Sequence, residues 1–490
     1  MDVISAYLPS AALNATTVSQ LPLALPEISL LILASLVLVV DLFVNDKTRG
    51  ATYILAQATL LGLAVLTIVT FSSKTSVAFS GTFIRDAMGD LLKLFVYVIT
   101  FAVFLYSKSY LKARDLYRGE YYTLGLFGVL GMVILISAHS FLTVYLGLEL
   151  LSLCMYAMVA LQRDSTVASE SAMKYFVLGA IASGMLLYGM SMIYGATGSL
   201  DLAVISKQVV AKQQNIILIF GLVFVIVGIA FKLGAVPFHM WLPDVYQGSP
   251  TAVTVYLGSA PKIAAFAMMM RLLADGLVGL HVQWQDILII LSVASMAIGN
   301  LVAIVQTNIK RMLAYSTISH VGFLMLGVIA VTKDGYASAM FYTLVYTVMA
   351  LGAFGMIMLM SRFGFESELL DDFRGLNQRS PWFAFIMLIF MFSMAGVPPF
   401  VGFWAKLTVL KAIVAQGMVW LAIVAVAFSV IGAFYYLRII KLMYFDTPQE
   451  SQALEGATDL RVLLSINGLV VLFLGFKPDL LLAICNTVLG

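Results

Sequence analysis

Lys93, Lys174, Lys232, Lys262 and Lys406 each fall inside a long apolar run of the sequence, where a positive charge is expensive. Glu149, in "VYLGLELLSL", is a carboxylate in similar surroundings, and His239 and His320 lie close to such runs. A charged side chain at the centre of a membrane helix costs about 2.5–3.5 kcal/mol on insertion scales, so these groups must face protein or water. Burial disfavours the ammonium form of lysine. A buried lysine free to change its protonation state therefore carries protons, whereas one locked in a strong ion pair is a structural post.

The neighbours of these residues separate the two roles. Lys232, in "VGIAFKLGAVPFHMWLPD", precedes Pro237, which breaks the helix and frees backbone carbonyls able to solvate an ammonium or a water. Lys262 directly follows Pro261, and Lys406 follows a second break at Pro399 in "AGVPPFVGFWAKL". Pro237 and Pro399 are thus expected hinges. Each lysine alone could instead snorkel to an interface, but polar groups that succeed one another across neighbouring helices suit a relay. Glu149 and Lys174 are expected to pair across adjacent helices, either tuning the relay or merely pinning two helices together. His239 would suit proton exchange or cap the broken helix, and His320, among hydroxyls in "YSTISHVGFLM", would bridge the two breaks or pack as a core histidine. Lys93 is expected to pair locally with Asp90 and snorkel. His139 and His281 read as interfacial, the Tyr435–Tyr436 pair as part of an interfacial belt, and the Met268–Met270 run as adaptable packing. Cys154 and Cys485 lie far apart in apolar runs and supply neither a disulfide framework nor a metal-ligand spacing.

The elements that must position these residues are membrane helices. The chain has 490 residues, 62% hydrophobic and 11% charged, against about 25% charged in globular proteins. Apolar runs of about 20 residues, each able to cross the bilayer as a helix, recur from end to end. The expected class is an all-α polytopic membrane protein with about 14 transmembrane helices. These lie near residues 23–44, 51–71, 86–106, 121–138, 140–161, 169–196, 214–247 (broken), 252–274, 285–306, 311–332, 336–361, 381–411 (broken), 415–441 and 460–487. No G-x-G occurs, which excludes a Rossmann fingerprint or a Walker loop. Nothing points to nucleic acid; lipid is the expected surroundings. The N-terminus lacks the basic region of a cleavable signal peptide.

Loop cations are unequally divided. One set of alternate loops holds Lys47, Arg49, Lys108, Lys112, Arg114, Arg118, Arg163, Lys310, Arg311, Arg362, Arg374, Arg379, Arg438, Lys441 and Arg461; the other holds Lys74, Arg85, Lys207, Lys212, Arg271, Lys333, Lys411 and Lys477. The richer side should face the cytoplasm, which leaves both termini periplasmic. "GAVPFHMW" and "AGVPPFVGFW" also repeat a small-Val-Pro-Phe-Trp pattern in the seventh and twelfth spans. An odd offset of five spans makes the two copies antiparallel, an inverted repeat whose paired broken helices point to an ion site near the midplane.

The segments "LGLELLSL", "AFKLGAVPFHMWLPDVYQGSP", "SAPKIAAFAMMMRL", "TNIKRMLAYSTISHVGF" and "AGVPPFVGFWAKL" closely resemble subunit N of bacterial NADH-quinone oxidoreductase, respiratory complex I, one of the antiporter-like membrane subunits. The resemblance covers nearly the whole chain. It implies two inverted five-helix repeats: an N-terminal part (1–120), a first repeat (121–274), a second repeat (275–445), and a C-terminal loop and helix (446–490). It also implies a proton-translocating unit whose relay falls on Glu149, Lys174, Lys232, Lys262 and Lys406. Lys406 favours subunit N over subunit M, where a glutamate is usual. A multisubunit Na⁺(K⁺)/H⁺ antiporter is the alternative, although a sodium site would want several mid-membrane carboxylates. The resemblance further implies an enzyme complex of the bacterial inner membrane. NADH, FMN, iron–sulfur clusters and quinone would bind its partner subunits, with no redox site in this chain. Its membrane partners would be the antiporter-like M and the small A, J and K types.

Overall fold

A computed structural model of the chain describes residues 19–45, 49–361, 365–448 and 456–489. Lys47 and Arg362, counted above among the loop cations, lie outside the described residues. The spans run α1 (Leu25–Asp41), α2 (Gly50–Val69), α3 (Ala87–Ala113), α4 (Gly119–Ile136), α5 (Phe141–Val159), α6 (Thr166–Thr197), α7a (Ile216–Leu233) and α7b (Trp241–Gly248). There follow α8 (Thr251–Gly276), α9 (His281–Ile304), α10 (Ile309–Ile329), α11 (Lys333–Met360), α12a (Pro381–Ala395), α12b (Val401–Ala415), α13 (Val419–Phe445) and α14 (Thr458–Phe476). Among the described residues 13 helices are individually long and apolar enough to cross a membrane. The halves of α12, at 15 residues each, cross only together. The fourteenth span ends earlier than expected: Lys477 interrupts it, and Pro478, whose missing N–H suits a first turn, starts a short α15 (Pro478–Leu489).

Polar side chains fix where helices begin. Asp86, Ser140, Ser165, Asn308 and Thr332 each accept a backbone N–H from the first turn of α3, α5, α6, α10 and α11. Two caps do more. Ser140 forms an isolated antiparallel bridge with Asp201, just after α6, and Asn308 forms one with Leu369, just after α11. The same tie thus joins the second and third helices of each five-helix unit. Because α5 and α10 are five spans apart, the ties sit at opposite membrane faces. α8, α10 and α11 are almost wholly buried and form the axis of the bundle.

Four expectations need correction. Lys93 does not snorkel: it is 1% exposed, 2.6 Å from Glu27 of α1 and 3.7 Å from Asp90, which Arg85 also holds at 3.2 Å. Arg271 is not a loop residue. It is buried near the end of α8, forking onto both carboxylate oxygens of Asp86 at 2.7 and 2.8 Å. Burial alone would raise the Asp86 pKa, but the guanidinium outweighs it and holds the carboxyl below its usual range. Tyr435 and Tyr436 are 1% and 2% exposed, inside the bundle rather than in an interfacial belt. His139 is likewise buried, at 8%. His281 opens α9, its Nδ1 3.1 Å from the Val278 carbonyl.

Candidate functional site

Both broken helices end in the same way. α7a stops at Gly234 and α12a at Gly396, each with φ +85°, a left-handed conformation that glycine adopts without penalty. The N–H groups of each glycine and of the next residue turn back onto carbonyls four or five positions earlier. Pro237 and Pro399 each stand three residues beyond their glycine, so the chain leaves the helix before reaching either proline. The last carbonyls, Leu233 O and Ala395 O, lack a helical partner. Lys262 Nζ of α8 donates to Leu233 O at 2.9 Å, and Lys406 Nζ of α12b donates to Ala395 O at 2.9 Å. A helix C-terminus carries partial negative charge, so each break is a ready-made ammonium site. An aromatic face completes each one: Trp241 lies 5.7 Å from the Lys262 amine and Phe323 lies 5.0 Å from the Lys406 amine.

Lys232, Lys262 and Lys406 are all buried, at 6%, 4% and 9% exposure, and among the described residues none is in an ion pair. Lys232 Nζ donates to Ser152 Oγ on α5 at 3.0 Å. A cavity of about 10 Å³, lined by Ser152, Ser183 and Lys232, has room for roughly one water. Ser183 in turn donates to Glu149 Oε1. Glu149 therefore reaches Lys232 through a hydroxyl and a water-sized space. In the second unit Lys406 also donates to Ser429 Oγ on α13, at 2.9 Å.

His320 on α10 sits between two hydroxyls. Its Nδ1 is 2.6 Å from Tyr342 Oη and its Nε2 is 3.1 Å from Tyr436 Oη, which also meets Ser316 Oγ. Phe323, one turn on, carries Lys406 over its ring. The first break is tied to the second unit where Val236 N donates to Ser295 Oγ on α9 at 2.9 Å. Among the described residues no direct hydrogen bond joins any two of Lys232, Lys262, His320 and Lys406. Proton movement between them requires bridging water. His239 is half-buried, and its Nδ1 has no partner among the described residues.

The expected Glu149–Lys174 pair does not form. Lys174 Nζ lies 2.9 Å from Asp244 and 2.8 Å from Glu170, and its side chain is 44% exposed. The Ser183 that serves Glu149 is nine residues further along α6, an axial separation of about 13 Å. Asp244, on α7b, is also held by Arg311 of α10 at 2.7 Å. At the same end of the bundle an open cavity of about 710 Å³ is lined by Arg114, Lys310, Glu366 and Glu368 among others.

Residues 138–432 match the family described as NADH:quinone oxidoreductase/Mrp antiporter, TM. The chain is 63% identical over 464 residues to NADH-quinone oxidoreductase subunit N of Thioalkalivibrio sulfidiphilus, spanning 94% of this chain and 97% of that one. The chain belongs to the NADH-quinone oxidoreductase subunit N family. A chain of respiratory complex I from Thermus thermophilus shares the fold with a TM-score of 0.81 and 29% identity, over 94% of this chain and 98% of that chain. A chain of the Mrp complex from Dietzia sp. superposes with a TM-score of 0.83 at 24% identity, over 96% and 97% of the two chains; that likeness concerns the fold alone. The antiporter alternative is therefore not favoured.

For this member of the subunit N family, sequence reasoning missed Ser152, Ser183, Tyr342, Ser429 and Tyr436. Register offered a weak signal: Ser152 lies three residues after Glu149, and Tyr436 lies seven after Ser429, each pair on one helix face. Tyr436→Phe would strip a hydroxyl from both His320 and Ser316. Unpaired buried groups cost about 1–3 kcal/mol each, so NADH-driven acidification by the assembled complex should slow severalfold without stopping.

Proposed function

We propose that this chain is a proton-translocating membrane unit of NADH-quinone oxidoreductase. One observation carries the reading: the ammonium groups of Lys262 and Lys406 dock on the equivalent last carbonyls of two oppositely directed broken helices. Each amine is buried, outside any ion pair among the described residues, and held by a backbone carbonyl that can solvate it with or without its extra proton. Protons enter from the cytoplasm through the open cavity beside Lys310 and Glu366, load Lys232 or Lys262, pass His320, and leave by Lys406. Glu149, through Ser183, biases Lys232. Two unit charges about 6 Å apart at an effective dielectric of 20 interact by roughly 3 kcal/mol, enough to switch a lysine between loaded and empty. Residues around Pro237 and Pro399 act as the flexible joints. The domain division follows the same reading, with units at 121–274 and 275–445 between N- and C-terminal parts.

The redox chemistry, with NADH, FMN, iron–sulfur clusters and quinone, is assigned to partner subunits, and no redox step is assigned to this chain. The membrane partners are an antiporter-like M subunit and small subunits of the A, J and K types. The site is the bacterial inner membrane, with both termini periplasmic. Support for a covering partner comes from Glu149, which is part-exposed on an α5–α6 surface otherwise made of exposed Leu142, Leu146, Leu153, Phe176 and Val177. A carboxylate there would be costly against lipid.

The test is Lys232→Ala in inverted membrane vesicles. Acidification driven by NADH should fall severalfold per NADH oxidised, a partial loss because Lys262 persists in the same unit. An unchanged proton yield would make the chain a structural spacer, and failure to co-purify with a redox assembly would remove it from the complex.

A further inference from the structure

The face of α3 that points into the bundle carries Asp90, Lys93, Tyr97, Thr100, Phe104, Ser107 and Tyr110, at spacings of three and four residues throughout, the last two steps of three winding it round the helix. Every one of them is at most 4% exposed. None belongs to the relay of Lys232, Lys262, His320 and Lys406, and all but Phe104 carry a polar group. At one end Lys93 and Asp90 join Glu27, whose Oε1 also accepts from Ser137 at 3.1 Å. Glu27 Oε2 and the Tyr97 hydroxyl, both more than nine-tenths buried, have no protein partner among the described residues. Buried polar atoms of this kind normally hold ordered water.

At the other end the Tyr110 hydroxyl donates to Glu366 at 2.9 Å, and both line the open cavity of about 710 Å³. One step inward, Ser107 Oγ is 2.7 Å from the Tyr121 hydroxyl, which donates to Ala252 O at 3.0 Å. Polar groups thus approach the middle of α3 from both ends. Between Thr100 and Ser107, about 10 Å apart along the axis, this face holds the apolar side chains of Val103 and Phe104, both fully buried, and Phe104 is the larger. Its ring is enclosed by those of Tyr121, Tyr122 and Tyr256, with centroids 5.7, 5.1 and 6.4 Å away. Gly125 lets α4 come close enough to seat it, since a Cβ there would lie 2.5 Å from Phe104 Cζ.

We propose that this face of α3 is a second proton-conducting file, parallel to the lysine series, and that the Phe104 ring holds it shut. The file holds water in the half from Glu27 to Thr100 and communicates with the cavity in the half from Ser107 to Glu366. It is a sealed leak path rather than a pump. The proposal does not rest on the lysine relay, because its readout needs no NADH.

The whole complex carrying Phe104→Ala, in proteoliposomes with an internal pH dye and an imposed potassium diffusion potential, should show passive proton flux severalfold above the unaltered complex. Adding Tyr97→Phe to Phe104→Ala should bring the flux back down. Unchanged flux in Phe104→Ala, or a leak that Tyr97→Phe leaves in place, overturns the proposal. Should Phe104→Ala fail to assemble, hydroxyl-radical footprinting of the unaltered complex decides it. Tyr97 should be modified, by radicals from adjacent water, well above the similarly buried Tyr256, and equal protection of the two overturns the proposal.

Discussion

Lys406→Ala should lower NADH-driven proton transport by about tenfold or more, a barrier increase of roughly 1.4 kcal/mol or above. The expected loss exceeds that for Lys232 because, among the described residues, the second unit has one buried lysine outside an ion pair, Lys310 being held by Glu368, where the first has two. Removing it leaves Ala395 O and Ser429 facing an emptied pocket. The informative companion is Lys406→Arg. A guanidinium keeps the positive charge and can donate to the same carbonyl, but it does not give up its proton in a protein. If Lys406 hands protons on, arginine should fail as badly as alanine. Recovery of transport with arginine would show that only a fixed charge is needed, and the relay would lose its terminal station. The measurement is acidification per NADH oxidised in vesicles containing matched amounts of assembled complex.

Glu149→Gln should also reduce transport strongly, severalfold at least, while Lys174→Ala should change it by less than about twofold. Glutamine keeps the size of the side chain and can still accept from Ser183, but it removes the negative charge behind Ser183, which lines the water-sized cavity together with Lys232. Lys174 belongs to a different structure. Its 44% exposed amine shares Asp244 with Arg311, and exposed ion pairs of this kind contribute little. The opposite result, a mild Glu149→Gln and a severe Lys174→Ala, would restore the pair expected from the sequence.

That contrast shows what was legible in the chain. Ammonium groups in apolar runs announce themselves, because each must be compensated, and the Gly-x-x-Pro breaks beside them mark where the compensation comes from. Lys232, Lys262 and Lys406 were therefore readable, as were the polytopic helical fold and the paired broken spans. The Glu149–Lys174 pairing failed because adjacency of two helices says nothing about height along them, and nine residues of α6 separate the right partner from the wrong one. Tyr436 and Tyr342 were hidden for another reason: tyrosine is common at membrane interfaces, and nothing local distinguishes a tyrosine that contacts His320. Glu27 and Lys93 escaped as a cluster because their helices are distant in sequence, so only packing reveals that the charges meet.

The short α7b helix has a consequence of its own. It is eight residues long, joined to α7a through the irregular stretch after Gly234 and to α8 through Pro250; Trp241, Leu242, Val245 and Tyr246 bury its inner side, and Asp244 stands outside between Lys174 and Arg311. All three side chains are at least 30% exposed, so dissolved ions can compete for them, with a screening distance of about 8 Å at physiological ionic strength. Concentrated salt thus weakens only the outer tie of α7b, while its buried Trp241, Leu242, Val245 and Tyr246, and Lys262 on its backbone carbonyl, do not feel the change. Coupling efficiency should therefore vary little with the electrolyte, the outer charges being ornament to a buried anchor.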